Sequence, residues 1–285
     1  RWHEHDERFD AVKNPNEPNR FGWVVEIDPM DPASTPIKRT ALGRAAHEGA
    51  WVVQARDGRV VVYMGEDARN EYIYKFVSRD AVRPGGYAAN RELLDTGTLY
   101  VARFNADGSG EWLPLVWSPS GPLSPANGFA DQGEVLIKCR QAADRLGATM
   151  MDRPEWGACH PTTREVYMTL TNNSRRGNTP ASVNKVDGTT TAATANPPVD
   201  AANPRPDNDY GHIIRWREVA GDVASARFEW DIFVRCGDKA TRKTLGASYN
   251  PEGYDGYVGN IQGDDYGAPD GLWFDRDGRL WIQTD

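Results

Sequence analysis

Three segments of the chain repeat one order of residues: an acid, an aromatic soon after it, a polar turn, and a strand that ends in an acid or amide. Glu48-Gly-Ala-Trp51 runs through Asp57-Gly-Arg-Val-Val-Val-Tyr63 to Glu66-Asp67. Arg153-Pro-Glu155-Trp156 runs through Thr162-Thr-Arg-Glu-Val-Tyr-Met-Thr169 to Asn172, and Pro269-Asp270-Gly-Leu-Trp273 runs through Asp277-Gly-Arg-Leu-Trp-Ile282 to Asp285. Each reads as a β-hairpin, in which the start of the first strand and the end of the second lie side by side. Hairpins set around a common centre bring those edges to one face and crowd their carboxylates together. Such crowding is costly unless cations occupy it. The pattern therefore predicts an all-β protein built from repeated sheet units, with a site for several metal ions.

The remaining composition narrows the alternatives. With 285 residues, 10 Trp, 11 Tyr and 8 Phe, the chain has material for a large packed core. Forty-one acids against 33 bases leave a net charge of −8, and no Lys/Arg-rich run tracks a phosphate backbone, so nucleic acid is not an expected partner. Three cysteines, Cys139, Cys159 and Cys236, without a Cys-x-x-Cys pair, suggest neither a disulfide framework nor a zinc knuckle. Apolar runs such as Gly58 to Met64 are far too short to span a bilayer, and no membrane or protein partner is expected. The chain starts at Arg1 without a signal pattern and stops straight after a strand; both ends are expected to be truncated from something longer.

Residues 1–20 read as a polar arm, followed by a strand over Phe21 to Asp28 that is broken by Pro29 to Pro36. Further strands are expected at Gly49 to Gln54, Arg59 to Met64, Glu71 to Val77, Thr98 to Phe104, Gly211 to Trp216 and Ala226 to Phe233. A short helical insertion is expected over 131–146, and 172–208, rich in Asn, Thr, Ala and Pro, reads as a long irregular excursion, either functional or mobile. Sheets of this kind around a centre form a β-propeller, here a single domain over 1–285.

Glu48, Glu155 and Asp270 hold equivalent places at the entry to the three inner strands. Any one alone is explained as a turn cap, but three in register point to metal ligands. Glu66, Asp67, Asn172 and Asp285 are second-rank ligand candidates. Oxygen donors in this number favour Ca²⁺; mixed with a softer ligand they suit iron or manganese. Arg153 lies two residues before Glu155, with a proline between, where a guanidinium can grip the free oxygens of a phosphate. An ordinary rim ion pair is about as good an account of that spacing taken alone. His47, Cys159 and His160 are read as packing residues, the last two mid-strand in the second hairpin. No Gly-x-Ser-x-Gly elbow, Gly-rich phosphate loop or His-Glu-x-x-His helix is present.

These residues resemble the PhoX-type alkaline phosphatases. The resemblance is carried by Phe21-Gly-Trp-Val-Val-Glu-Ile-Asp-Pro29, His47-Glu-Gly-Ala50, Tyr72-Ile-Tyr-Lys-Phe-Val77, Gly97-Thr-Leu-Tyr-Val-Ala-Arg-Phe104, Met151-Asp-Arg-Pro-Glu-Trp156, Thr169-Leu-Thr-Asn-Asn-Ser174 and Pro269-Asp-Gly-Leu-Trp-Phe274. It implies a six-bladed propeller, incomplete in this chain, that is exported to the periplasm or beyond and hydrolyses small phosphate monoesters with a cluster of Fe³⁺ and Ca²⁺. By position it implies Glu48, Glu155 and Asp270, with Asp67 and Asn172, as metal ligands and Arg153 as the phosphate-binding, catalytic arginine. The family's Thr-Cys-Glu-Glu motif, which supplies a cysteine to iron, has no counterpart in residues 1–20 and is expected to fall before Arg1, unless this member lacks the iron site. Two other readings stay open. Pro269-Asp-Gly-Leu-Trp-Phe-Asp-Arg-Asp-Gly-Arg-Leu-Trp is also similar to repeats of calcium-dependent lactonases, and a propeller can use its metals as staples in a non-catalytic binding module.

Overall fold

The computed structural model describes residues 1–237 and 259–285; the part of the single-domain reading that falls on 238–258 lies outside them. Within these bounds the chain is all-β, and its strands stack as propeller blades. After three short 3₁₀ turns in the arm, β1 (Val25–Glu26) pairs with β2 (Ile37–Lys38). The strand expected over Phe21 to Asp28 thus shrinks to two residues. Gly22 at φ 82° turns the chain at its start, and Pro29 ends it.

The first blade is a meander of β3 (His47–Gln54), β4 (Arg59–Glu66), β5 (Ile73–Ala81), β6 (Gly97–Phe104) and β7 (Ser109–Pro114), with helix α1 (Gly86–Asn90) between β5 and β6. Helices α2 (Gln132–Ile137) and α3 (Cys139–Leu146) follow; Asp131 caps the first by accepting from the Glu134 amide, and Gly147 ends the second at φ 69°. The second blade is β8 (Pro154–Cys159), β9 (Val166–Leu170), β10 (His212–Glu218) and β11 (Arg227–Arg235). The hairpin of β12 (Pro269–Phe274) and β13 (Leu280–Thr284) follows. The first two blades join at their outer edges through β7 and β11, in the strand order β3-β4-β5-β6-β7-β11-β10-β9-β8. At the opposite edge β8 lies between β3 and β12, so the three inner strands run side by side.

The core forms in layers. A strand such as Val60-Val-Val-Tyr-Met64 needs apolar partners on both faces, and β4 has them. Val62 and Met64 pack with Tyr74, Phe76, Leu99 and the α2–α3 side chains Val135 and Ala142, while Val61 and Tyr63 face the second blade with Trp112, Met168, Ile214, Trp216 and Phe228. A third cluster, including Ala158, Tyr167, Ile213, Leu272 and Phe274, seats the β12–β13 hairpin on the second blade. Between the blades, Lys75 Nζ donates to Glu218 Oε1 at 3.1 Å, with both groups buried and Glu218 also accepting from Tyr63 and Trp112. The paired partners make that burial tolerable.

The excursion over 172–208 holds no regular strand or helix; its backbone pairs with itself at Asn173 and Asn208. Buried polar groups tie it down. Asp152 accepts from Asn173 Nδ2 at 2.8 Å, Arg176 Nε at 2.9 Å and Asn208 Nδ2 at 3.0 Å. Asn70 Nδ2 donates to the carbonyls of Ala192 and Ala195. A loop with these buried, satisfied groups is anchored over the second blade.

Candidate active site

Glu48, Glu155 and Asp270 are each the second residue of their strands β3, β8 and β12. Those three strands are neighbours, and the acids hold the same place near their starts. Their electrostatics record the convergence. Burial raises the Glu48 carboxyl above its usual range, aided by the charges of Asp67, Asp270 and Asp285. Glu155 is pushed up to about 9, by burial first, then by the neighbouring Asp270 carboxyl and by the charge of Asp67. Glu155 Oε2 and Asp270 Oδ1 are both buried without a donor.

Arg153 stands immediately before β8 at φ 55°, a left-handed backbone that a non-glycine residue rarely takes. The backbone on either side fixes this turn. Met151 accepts from the Asn70 amide and donates to the Glu71 carbonyl, and Asp152 bridges Arg69, so the chain before Arg153 is stitched to the loop between β4 and β5. That stitching brings Asp67 to the guanidinium. Arg153 Nε donates to Asp67 Oδ1 at 2.8 Å and one terminal nitrogen donates to Oδ2 at 3.0 Å, a bidentate fork. The other terminal nitrogen reaches Asn172 Oδ1 at 3.3 Å, and Glu155 Oε1 lies 3.4 Å from the guanidinium.

Close approach of β8 to β4 depends on Gly65. A Cβ there would lie 2.2 Å from the Glu155 carbonyl oxygen and 2.6 Å from that of Pro154. Any other residue would push the Arg153–Glu155 turn away from Asp67.

The structure therefore brings Glu48, Asp67, Arg153, Glu155, Asn172 and Asp270 together, with Asp285 at the margin. It departs from expectation at Glu66 and in the place of His160. Glu66 points to the opposite side of β4 from Asp67, as the pleat requires, and meets Arg140 Nε at 2.7 Å and Tyr74 Oη at 3.2 Å. His160 is not mid-strand: it follows β8 in the turn, where Nδ1 accepts the amides of Thr162 and Thr163 and the ring packs on Phe274. Cys159 closes β8, its thiol pushed up to about 11 chiefly by burial, and it touches none of the candidate ligands. His47 turns from Glu48 and binds the Gly43 carbonyl at 2.9 Å. Sequence reasoning missed Gly65 and the bidentate grip of Asp67. The adjacent glycine and acid, Gly65 to Asp67, are visible in the sequence, but their partners lie more than eighty positions away.

Among the described residues no group of three or more His, Cys, Asp and Glu side chains is spaced to hold a metal ion. The donor set still suits hard cations. It is entirely oxygen, two of its buried atoms lack partners, and its carboxylates repel one another.

Comparison with known proteins bears on this arrangement. The alkaline phosphatase PhoX family matches residues 2–285. The chain belongs to the PhoX alkaline phosphatase family. Among solved structures it is similar to Pseudomonas fluorescens PhoX in complex with vanadate, a transition state analogue, at 48% identity and a TM-score of 0.84. The similarity covers 100% of this chain and 46% of that one, so the chain spans just under half the length of that PhoX. A search of the curated proteins gave no match. The PhoX relationship agrees with the blade-like stacking of β3, β8 and β12. No helix among the described residues is long and apolar enough to cross a membrane.

Proposed function

We propose that the protein containing this chain hydrolyses phosphate monoesters at the edge where β3, β8 and β12 meet. The observation that carries the reading is the Arg153 guanidinium held 3.4 Å from a carboxylate, Glu155, whose other oxygen is buried and unpartnered beside Asp270. A planar fork next to clustered acids matches the two needs of a phosphoryl site: a grip on the equatorial oxygens, and oxygen donors for cations that neutralise charge. Glu48, Glu155 and Asp270, with Asp67 and Asn172 beside them, would hold Ca²⁺ and Fe³⁺, both hard enough for oxygen donors. When bound, such ions polarise phosphoryl oxygens and lower the pKa of coordinated water.

The chain's own residues do the rest. Asp67 and Asn172 orient the guanidinium, so that little freedom is lost when an anion arrives. The left-handed turn at Arg153 projects the side chain over the acids and is kept by the buried anchors of Asp152. Cys139, Cys159 and Cys236 have thiols pushed up to between about 11 and 12, chiefly by burial, and serve neither as nucleophiles nor as ligands. The vanadate complex of the Pseudomonas fluorescens relative supports the reading, since vanadate imitates a phosphoryl group in transit. Family membership likewise supports a periplasmic or extracellular location, with small phosphate esters as substrates.

The test is hydrolysis of a simple phosphomonoester and of a lactone by the full-length, metal-loaded protein, with and without chelator, alongside elemental analysis. Chelator-sensitive phosphatase activity with bound calcium and iron is expected. Lactone hydrolysis alone, or calcium without phosphatase activity, would overturn it.

A further inference from the structure

A cavity of about 840 Å³ opens beside Arg153, between α3, the β4–β5 loop and the excursion. Its lining includes Arg69, Glu71, Arg140, Asp144, Arg153 and Lys185. The volume lies in the range of about 300–1,000 Å³ that holds small organic ligands. Most of its charges are already matched. Arg153 is held by Asp67, Arg140 by Glu66 and Glu71 at 2.7 and 2.8 Å, and Asp144 accepts from the Tyr72 hydroxyl. Two cations remain over. Arg69 and Lys185 are exposed, and neither side chain has a hydrogen bond or ion pair among the described residues. Asp187, the nearest acid along the chain to Lys185, accepts from the amide and hydroxyl of Thr189, and the Lys185 charge acts on it more weakly than those bonds do.

The two cations are also carried on anchored backbone. Arg69 sits in the loop paired with Asp152, and the Lys185 amide donates to Thr190 across a tight turn. Unmatched positive charge in a concave wall concentrates field on whatever enters it. Arg153, the residue that would grip a phosphate, lines the same cavity as Arg69 and Lys185.

We propose that this cavity is the leaving-group pocket, and that Arg69 and Lys185 select substrates carrying a second phosphate or phosphonate at a distance from the scissile one. The assignment of Arg153 to the scissile phosphate rests on the proposed function; the selection of a second anion by the pocket does not require turnover. Arg69 supplies a bidentate fork and Lys185 a mobile point charge, a pairing suited to a phosphoryl group of variable placement.

Binding separates the two claims. The full-length protein is titrated with short α,ω-alkane bisphosphonates of increasing chain length and with the monophosphonates of equal length. One length of bisphosphonate is expected to bind on the order of tenfold more tightly than its monophosphonate, a gain of about 1.4 kcal/mol. The double variant R69A/K185A removes that gain and leaves the monophosphonate Kd unchanged, and R69K/K185R restores most of it. The proposal is overturned if no chain length gains, or if the double variant weakens both ligand series equally. A protein that hydrolyses no phosphate ester yet keeps the bisphosphonate preference supports the pocket and sinks the phosphatase reading instead.

Discussion

Asp67 accepts two parallel hydrogen bonds from the Arg153 guanidinium, at 2.8 and 3.0 Å, across 86 positions of sequence. The pair is only partly buried, so the arginine is oriented without being sealed from ligand. Replacing Arg153 with Ala removes the fork but leaves Glu48, Glu155 and Asp270 in place. Orthophosphate affinity is then expected to fall on the order of 10- to 100-fold, the size of a charge-assisted bidentate contact, while bound metal stays constant. Titration calorimetry with elemental analysis checks both halves. Loss of the metals in Arg153→Ala would make the arginine a structural residue.

Gly65 is the contact point that allows the pair to form. A methyl group there would overlap the carbonyl oxygens of Pro154 and Glu155, which are backbone atoms and cannot swing aside. Gly65→Ala is therefore expected to destabilise the protein by about 1–3 kcal/mol, as overpacking does, and to weaken phosphate binding together with it. Urea denaturation of the variant measures the first effect. A wild-type midpoint would mean that β8 does not approach β4 this closely.

Much of this site could be read in advance because strands are periodic. The matched positions of Glu48, Glu155 and Asp270 follow from three hairpins of one pattern, and the pairings of β3 with β4, β8 with β9 and β12 with β13 agree with it. The same period distinguishes Glu66 from Asp67: adjacent residues face opposite ways, so one enters the core near Arg140 and the other meets Arg153. What could not be read depends on contacts between distant segments. The bridge from Arg69 to Asp152 and the anchoring of 172–208 by Asp152 involve polar residues without periodicity, whose partners are set only once the blades have packed. The strand expected from Phe21 failed because local alternation had no neighbouring strand long enough to pair with beyond Ile37–Lys38.

The carboxylates around Arg153 also predict how metal removal acts. Without cations, Glu48, Glu155 and Asp270 are left to one another and to a single guanidinium that already serves Asp67. Chelation is expected to lower the Tm by several degrees, on the scale of about 1–2 kcal/mol for a protein of this size. Glu155→Gln, which removes one ligand and a carboxyl that must give up its proton before it can hold a cation, should narrow the gap between metal-loaded and chelated protein. Differential scanning calorimetry decides it, and an unchanged Tm after verified metal loss would remove these acids from the metal site.

His212 sets an acid limit on stability that does not involve the site. It is fully buried at the start of β10, with Nε2 2.8 Å from the Ala202 carbonyl and Nδ1 3.3 Å from Asn208 Nδ2. The neutral ring satisfies both contacts, donating at Nε2 and accepting at Nδ1. Burial is the chief reason that its pKa falls from 6.5 to about 4, against the favourable charge of Asp152. A depressed folded-state pKa stabilises the native protein above the unfolded value and ceases to do so as pH falls through the folded one. The contribution is thus complete above pH 6.5 and is lost between there and about 4. At about 1.4 kcal/mol per pKa unit the loss approaches about 3 kcal/mol. His212→Gln, whose amide donates and accepts in similar directions without titrating, should flatten the unfolding free energy across this interval. Chemical denaturation at a series of pH values tests it, and equal acid sensitivity in the wild type and the variant would assign the loss to other groups.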